Sequence, residues 1–298
     1  MEHSLKKWLR ILLYLSILFV IYYLYKLDYL FFSELTINWM FLVASVLFLW
    51  SGFLLSVYSW KVSLKVHGVI VLFKDALYSH GISVFGKYLP GKVWVILGRA
   101  SIISEKGFPL MKLATVSLRE QLLYLLLGLL ISLVAIPFLP VNGWYSFFVA
   151  LGALGLGLFL FSGWVHKFIL QLLQMFFKKE LNIPFIPIRD ALPMTLAIMG
   201  YWVFWSAGFY FLVLSVLPAS SLWVAFAFPA SVSCGLLAIF LPGGIGVREG
   251  IIVLFLTTLG IDPKIAITIS IIQRLWFISG EIFIFGIALI FKKQKSEN

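Results

Sequence analysis

Six apolar segments, each long enough to cross a lipid bilayer, limit the fold of this sequence more than any other feature. A helix needs roughly 20 apolar residues to cross the hydrocarbon, because each residue advances it by about 1.5 Å. Only 12% of the residues are charged and the mean hydropathy is +1.06, so a soluble surface is excluded. The sequence predicts an all-α integral membrane protein. The segments cover about residues 8–27, 39–60, 112–137, 144–165, 191–217 and 264–291.

Lysine and arginine collect at alternate ends of these segments. Cytoplasmic connections of membrane proteins hold an excess of both residues. The connections around residues 27–38, 137–143 and 217–221 contain neither, apart from Lys26 at the border of the first. We therefore predict a multi-pass cell-membrane protein with both termini in the cytoplasm, and six crossings satisfy that parity. The basic regions contain Lys6, Lys7 and Arg10; Lys61, Lys65 and Lys74; Lys167, Lys178, Lys179 and Arg189; and Lys292, Lys293 and Lys295.

Two further apolar stretches, residues 67–111 and 221–263, are each interrupted by Leu-Pro-Gly. Proline removes a backbone donor and glycine frees the chain to turn, so Pro90-Gly91 and Pro242-Gly243-Gly244 predict helix ends at membrane depth. Unpaired backbone is tolerated there only when it is buried in protein or lines a cavity. We interpret both stretches as re-entrant helical hairpins. The alternative is that these Pro-Gly pairs only punctuate ordinary membrane helices.

The order of these elements occurs twice along the chain. Each break follows two full spans and precedes one span that carries arginine beside glutamine or glutamate: Arg119-Glu120-Gln121 in the first case and Gln273-Arg274 in the second. Three crossings per unit is an odd number, so the second unit would enter from the opposite side. The prediction is a single transmembrane domain, 1–298, built as an inverted repeat of units 1–140 and 141–298. In transporters such repeats place the substrate near the midplane.

Ionisable residues within the hairpins and the spans that follow them are mostly cationic. Such residues are costly in a membrane and usually mark a binding site or a pathway. Arginine presents a planar fork of donors that suits phosphate. Backbone N–H groups near Pro242, Gly243, Gly244 and Gly246, followed by a helix N-terminus, suit the same ligand. We predict a site for an anionic, phosphate-bearing group. The cationic candidates are Lys87, Lys92, Arg99, Arg119, Arg248 and Arg274, and the acidic candidates are Glu120 and Glu249.

The alternative for the arginines is local pairing. Arg119 would pair with Glu120, Arg248 with Glu249 and Arg274 with Glu281. Asp75, Glu120 and Glu281 are candidates for coupling transport to protons, although we favour a counter-ion role for each.

Three motifs resemble one known family. They are Tyr88-Leu-Pro-Gly-Lys92 with Gly98-Arg99-Ala100, then Arg119-Glu120, then Leu241-Pro-Gly-Gly-Ile-Gly-Val-Arg-Glu249. Together they resemble the flippase-like transmembrane domain of lysylphosphatidylglycerol synthases and its stand-alone relatives. The resemblance implies movement of lipids between leaflets, either aminoacylated phosphatidylglycerol or polyprenyl-phosphate-linked species. It does not imply the synthase reaction, which belongs to a soluble aminoacyltransferase domain that we do not expect here.

Enzyme motifs are sparse in this sequence. It has no His-Glu-x-x-His, Cys-x-x-Cys, P-loop or Gly-x-Ser-x-Gly pattern, and Cys234 is its single cysteine. We expect no metal or cofactor and no nucleic-acid partner, and we favour a lipid flippase over an enzyme. Two alternatives stay open: a lipid-binding accessory subunit of a membrane glycosyltransferase or synthase, and a transferase that uses polyprenyl phosphate.

Overall fold

A computed structural model describes residues 37–88, 93–135, 143–177, 185, 188–238 and 241–293. Within these ranges the regular structure is helical and contains no strand, as predicted. Short 3-10 helices cover Val84–Tyr88, Leu222–Phe226 and Pro242–Gly244. The α-helices are α1 Trp39–Val66, α2 Phe73–Ser83, α3 Val93–Ser104, α4 Leu110–Ala135, α5 Gly143–Phe161, α6 Gly163–Phe177, α7 Ile188–Val216, α8 Ala227–Leu237, α9 Val247–Thr258 and α10 Pro263–Lys293.

Four of these helices are long and apolar enough to cross a membrane: α1, α4, α7 and α10. They coincide with the predicted segments 39–60, 112–137, 191–217 and 264–291, which are thereby confirmed as helices of spanning length. The predicted segment 8–27 lies outside the described residues. The chain is a multi-pass membrane protein.

The predicted segment 144–165 is interrupted rather than continuous. Helix α5 ends at Phe161, and α6 leaves it at an angle of 97°. The break has a local cause, because the Val165 N–H donates to the Ser162 Oγ at 3.4 Å, so Ser162 caps the start of α6. Gly163 follows directly and has a low helix propensity. The segment therefore makes a corner, and α5 and α6 together are a fifth candidate, as a broken span or a re-entrant loop.

Helices α1 and α7 pack against each other in antiparallel directions. The Asn38 N–H, before α1, donates to the Ser215 carbonyl at the end of α7 at 2.8 Å. Further along the pair, Phe48 stacks on Phe211, with ring centroids 5.2 Å apart. Gly208 gives α7 a close approach to the backbone of α1, because a Cβ there would lie 3.1 Å from the Ser45 carbonyl oxygen.

The short helices pack across the two halves of the chain. Helix α2 lies on α10, where Gly81 touches Ile284 and Ala288. Helix α8 lies on α4, where Ser233 lies against Gly128. The short helix before each break thus packs on the final long helix of the other half.

The second predicted break is an interrupted helix. Helix α8 ends at Leu237, and α9 begins at Val247. Gly243, Gly244 and Gly246 have φ of +59°, +69° and +84°, a left-handed region that favours glycine. The first break, Pro90-Gly91, lies outside the described residues together with Lys92, and only its flanking helices α2 and α3 are seen.

Candidate functional site

A cavity of about 150 Å³ lies between the helices that flank the two breaks. Its wall combines three cations with one carboxylate and a group of aromatic rings. The charged lining residues are Lys87, Arg99, Arg248 and Glu120. The other polar and aromatic lining residues are Ser56, His80, Gln121, Phe53, Tyr124, Tyr201, Trp205 and Phe277, and Gly243 supplies backbone.

Arg99 is fixed by α4. Its side chain is 1% exposed, and its Nη1 lies 2.6 Å from Glu120 Oε2. Its Nε donates to Ser117 Oγ at 2.6 Å, and the guanidinium lies 4.2 Å from the Trp60 ring centroid. Ser59 Oγ donates to the other oxygen of Glu120 at 2.7 Å. Both charges are compensated, so this pair holds α3 and α4 together beside the cavity.

Lys87 is compensated by the other half of the chain. It forms an ion pair with Glu281 of α10, whose side chain is fully buried. The Tyr88 hydroxyl donates to the same carboxylate at 2.8 Å. Glu281 therefore ties the segment before the first break to α10.

The second broken segment is held by Arg274. Its Nη1 donates to the Gly243 carbonyl at 3.1 Å and lies 3.6 Å from Glu249 Oε1. The other oxygen of Glu249 accepts the Gly246 N–H at 2.7 Å. A Cβ on Gly243 would lie 2.9 Å from the Tyr88 ring, so the described ends of the two broken segments are in contact.

Arg248 lines the cavity and has guanidinium donors without a hydrogen-bond acceptor among the described residues. Its side chain is 5% exposed, and its Nε and Nη2 are buried without a hydrogen-bond partner in the described residues. The guanidinium lies 5.0 Å from the Phe277 ring centroid, a cation–π contact. Gly235 and Gly244 leave room for its aliphatic stem, because a Cβ on Gly244 would lie 3.2 Å from Arg248 Cγ.

Two predicted site residues lie away from this cavity. Arg119 lines a separate pocket beside the α5–α6 corner. Asp75 pairs with Lys106 at 2.8 Å, between the start of α2 and the turn after α3. The structure thus gathers Lys87, Arg99, Glu120, Gly243 and Arg248 at the cavity; Gly244, Gly246, Glu249, Arg274 and Glu281 support its wall, and Pro242 lies in the same loop.

The ion pairs differ from the local pairs that the sequence suggested. Glu120 pairs with Arg99, while Glu249 pairs with Arg274 and not with its neighbour Arg248. Glu281 pairs with Lys87, although it lies two turns from Arg274 on the same helix. Each carboxylate therefore joins two elements of the fold.

Several contributors to this site were missed in the sequence. Tyr88 directly follows Lys87, and Gln121 directly follows Glu120. Their position beside charged motif residues could have identified both as site candidates. The two serines that support the Arg99–Glu120 pair, and the aromatic rings of the wall, carry no local signature in a chain this rich in serine and aromatics. Among the described residues no three His, Cys, Asp or Glu side chains come together as a metal site.

Comparison with known families gives one assignment. Residues 7–278 match the lysylphosphatidylglycerol synthase TM region, which confirms the predicted resemblance. Comparisons with curated proteins and with solved structures found no match. The family ties the chain to lipid metabolism or lipid transport in membranes. This chain belongs to the lysylphosphatidylglycerol synthase transmembrane region family.

Proposed function

We propose that the protein is a lipid flippase or transporter that moves an anionic phospholipid or a polyprenyl-phosphate-linked lipid between leaflets. The observation that carries the proposal is Arg248, a buried guanidinium with unused donors at a cavity inside a membrane protein. A buried charge without a partner is costly, and a phosphate at the cavity would remove that cost.

The charge balance around the cavity supports an anionic ligand. Three of the cations have carboxylate partners and Arg248 has none among the described residues, which leaves one positive charge in excess there. A phosphodiester head group carries a single negative charge and would neutralise it. The acyl or prenyl tails would stay in the bilayer while the phosphate crosses. The four cations in this charge balance are Lys87, Arg99, Arg248 and Arg274, and the three carboxylates are Glu120, Glu249 and Glu281.

The packing supports an inverted repeat with re-entrant hairpins. Helices α1 and α7, which are equivalent in the two proposed units, run antiparallel, as an inverted relation requires. Helix α2 packs on α10 as α8 packs on α4. The broken segments meet where Tyr88 touches Gly243, the arrangement that transporters of this type use for substrate. On this topology both termini face the cytoplasm.

Reconstitution in liposomes tests the proposal. The purified protein should move a labelled anionic lipid to the other leaflet. Arg248→Gln should reduce the rate at least about tenfold, because it removes a charge-assisted contact with phosphate. Arg248→Lys keeps the charge and should retain part of the rate. Lys106→Gln, at an ion pair away from the cavity, is the matched control and should leave the rate unchanged.

The same preparation separates the alternatives. Lipid binding that depends on Arg248, without any movement between leaflets, would indicate an accessory subunit. Formation of product from polyprenyl phosphate and an activated donor would indicate a transferase. Full movement by Arg248→Gln would overturn the proposed site.

A further inference from the structure

Arg119 is a further buried cation with a donor that no described residue accepts, and it lies outside the central cavity. Its side chain is 7% exposed, and its Nε is buried without a hydrogen-bond partner in the described residues. The neighbouring Glu120 points elsewhere, because consecutive helical residues are about 100° apart, and it pairs with Arg99. The central-site chemistry therefore leaves Arg119 unexplained.

The pocket around Arg119 is small and apolar. It has a volume of about 20 Å³ and is bounded by α4, the α5–α6 corner and the start of α7. Its walls include Leu122, Phe159, Phe161 and Met194. This space holds about one water-sized group, such as a single phosphate oxygen, so a larger head group would remain at its mouth.

Helix α6 has the geometry of a helix that lies along a membrane surface. The 19 residues of α5 extend about 28 Å, close to the thickness of the hydrocarbon. With α5 crossing the bilayer, α6 at 97° to it lies near the membrane plane. Trp164 and Met175 are 76% and 71% exposed, and Phe168 joins them in one stripe, with Lys167 at its side.

The position of Arg119 agrees with this arrangement. It lies nine residues after Leu110, the first residue of α4, or about 13 Å along the helix. The pocket also contains His166, in the first turn of α6, and Ala191, near the start of α7. The ends of three helices thus meet at the level of the surface helix, where the head groups of the adjacent leaflet are within reach of the pocket.

We propose that the α5–α6 corner binds the phosphate of an anionic phospholipid from the adjacent leaflet through Arg119. This lipid is held and not transported, and the site is separate from the central cavity. One phosphate oxygen reaches the Arg119 Nε, while the rest of the head group stays at the mouth of the pocket and the acyl chains extend into the bilayer. Inorganic phosphate shares the head-group chemistry but lacks the acyl chains that anchor a lipid in the bilayer.

Photo-crosslinking in nanodiscs tests the corner directly. The full chain is labelled with a photoactivatable phosphatidylglycerol, and labelled peptides are mapped by mass spectrometry. Labelling should concentrate on residues 159–168 and should exceed labelling by the matching phosphatidylcholine, because that lipid would place its choline cation beside the Arg119 guanidinium. Arg119→Gln should reduce it at least about tenfold, and Arg119→Lys should reduce it less.

Two controls keep this result separate from the proposed transport. Arg248→Gln should leave labelling of the corner unchanged, whether or not the central cavity moves lipid. Lys167→Gln removes an exposed charge from α6 and tests general surface attraction. If Arg119→Gln does not fold, Arg119→Lys tests the same contact. Labelling of Arg119→Lys equal to that of the unchanged protein would contradict a role for the guanidinium.

Three outcomes would overturn the proposal. They are equal labelling with and without Arg119, equal labelling by the two lipids, and complete competition by millimolar inorganic phosphate. The last would indicate an ion site in place of a lipid site.

Discussion

Arg99 and Glu120 form a 2.6 Å ion pair that joins α3 to α4 in the interior of a membrane protein. Each partner is almost fully buried and has further hydrogen bonds, Arg99 to Ser117 and Glu120 from Ser59. The pair lines the cavity with its charges already compensated. Its role at the site is therefore to fix the wall, whereas Arg248 has two buried donors that no group in the described part of the chain accepts.

Breaking this pair should destabilise the fold strongly. Either Arg99→Gln or Glu120→Gln leaves a buried charge alone, at a cost of about 3–5 kcal/mol in the free energy of unfolding. The double substitution should cost less than the sum of the two single ones, because it leaves no lone charge. Thermal unfolding in detergent measures this. Asp75→Asn, at the more exposed Lys106 pair, should cost about 1 kcal/mol or less, and strictly additive effects would argue against the coupling.

The glycine loop before α9 should be sensitive to substitution at Gly244, whereas Gly250 within α9 should tolerate it. A Cβ on Gly244 would lie 2.9 Å from the Gly235 Cα, and its φ of +69° is unfavourable for alanine. Gly244→Ala should therefore displace Arg248 and lower both stability and lipid movement. Gly250→Ala places its methyl in open space within α9 and should stabilise by up to about 1 kcal/mol. Unchanged transport in Gly244→Ala would show that the loop geometry is not required.

The contact of α7 with α1 and α10 depends on Gly208. A Cβ there would lie 2.9 Å from Trp276 Cζ2 and 3.1 Å from the Ser45 carbonyl oxygen. Gly208→Ala should lower the unfolding free energy by about 1–3 kcal/mol, because the neighbours include backbone that cannot move aside. Gly152→Ala on α5 has no atom within 4 Å and serves as the control in the same unfolding experiment. Equal stability of the two variants would contradict this packing.

Segment lengths and breaks could be predicted from the sequence because they depend on local composition. A run of apolar residues fixes the length of a spanning helix. Pro242 lacks a backbone donor, and Gly243 and Gly244 admit positive φ, so the helix is interrupted there wherever it lies in the fold. The interruption at Ser162 was missed, because a serine cap and one glycine have little effect on hydropathy within an apolar run.

The ion pairs could not be predicted, because each depends on which helices become neighbours. Glu120 is adjacent to Arg119 in sequence, but the two side chains point in different directions and Arg99 arrives from another element. In the same way, Lys87 reaches Glu281 only because α2 packs on α10. The choice of charged residues as a group was possible from the sequence, whereas the separation of Arg119 from Arg248 required the tertiary structure.

Cysteine labelling provides the last prediction, which concerns the inverted topology. In a Cys234→Ala background, single cysteines replace four exposed residues next to the two proposed hairpins: Lys65, Glu105, Ala219 and Lys264. Lys65 and Glu105 flank the first hairpin, and a re-entrant path returns the chain to the side from which it came. A membrane-impermeant maleimide applied to intact cells should therefore label neither position until the membrane is permeabilised. Ala219 and Lys264 flank the second hairpin, and both should be labelled from outside. Opposite labelling of Lys65 and Glu105 would mean that the first hairpin crosses the bilayer, and the two units would then not be related by inversion.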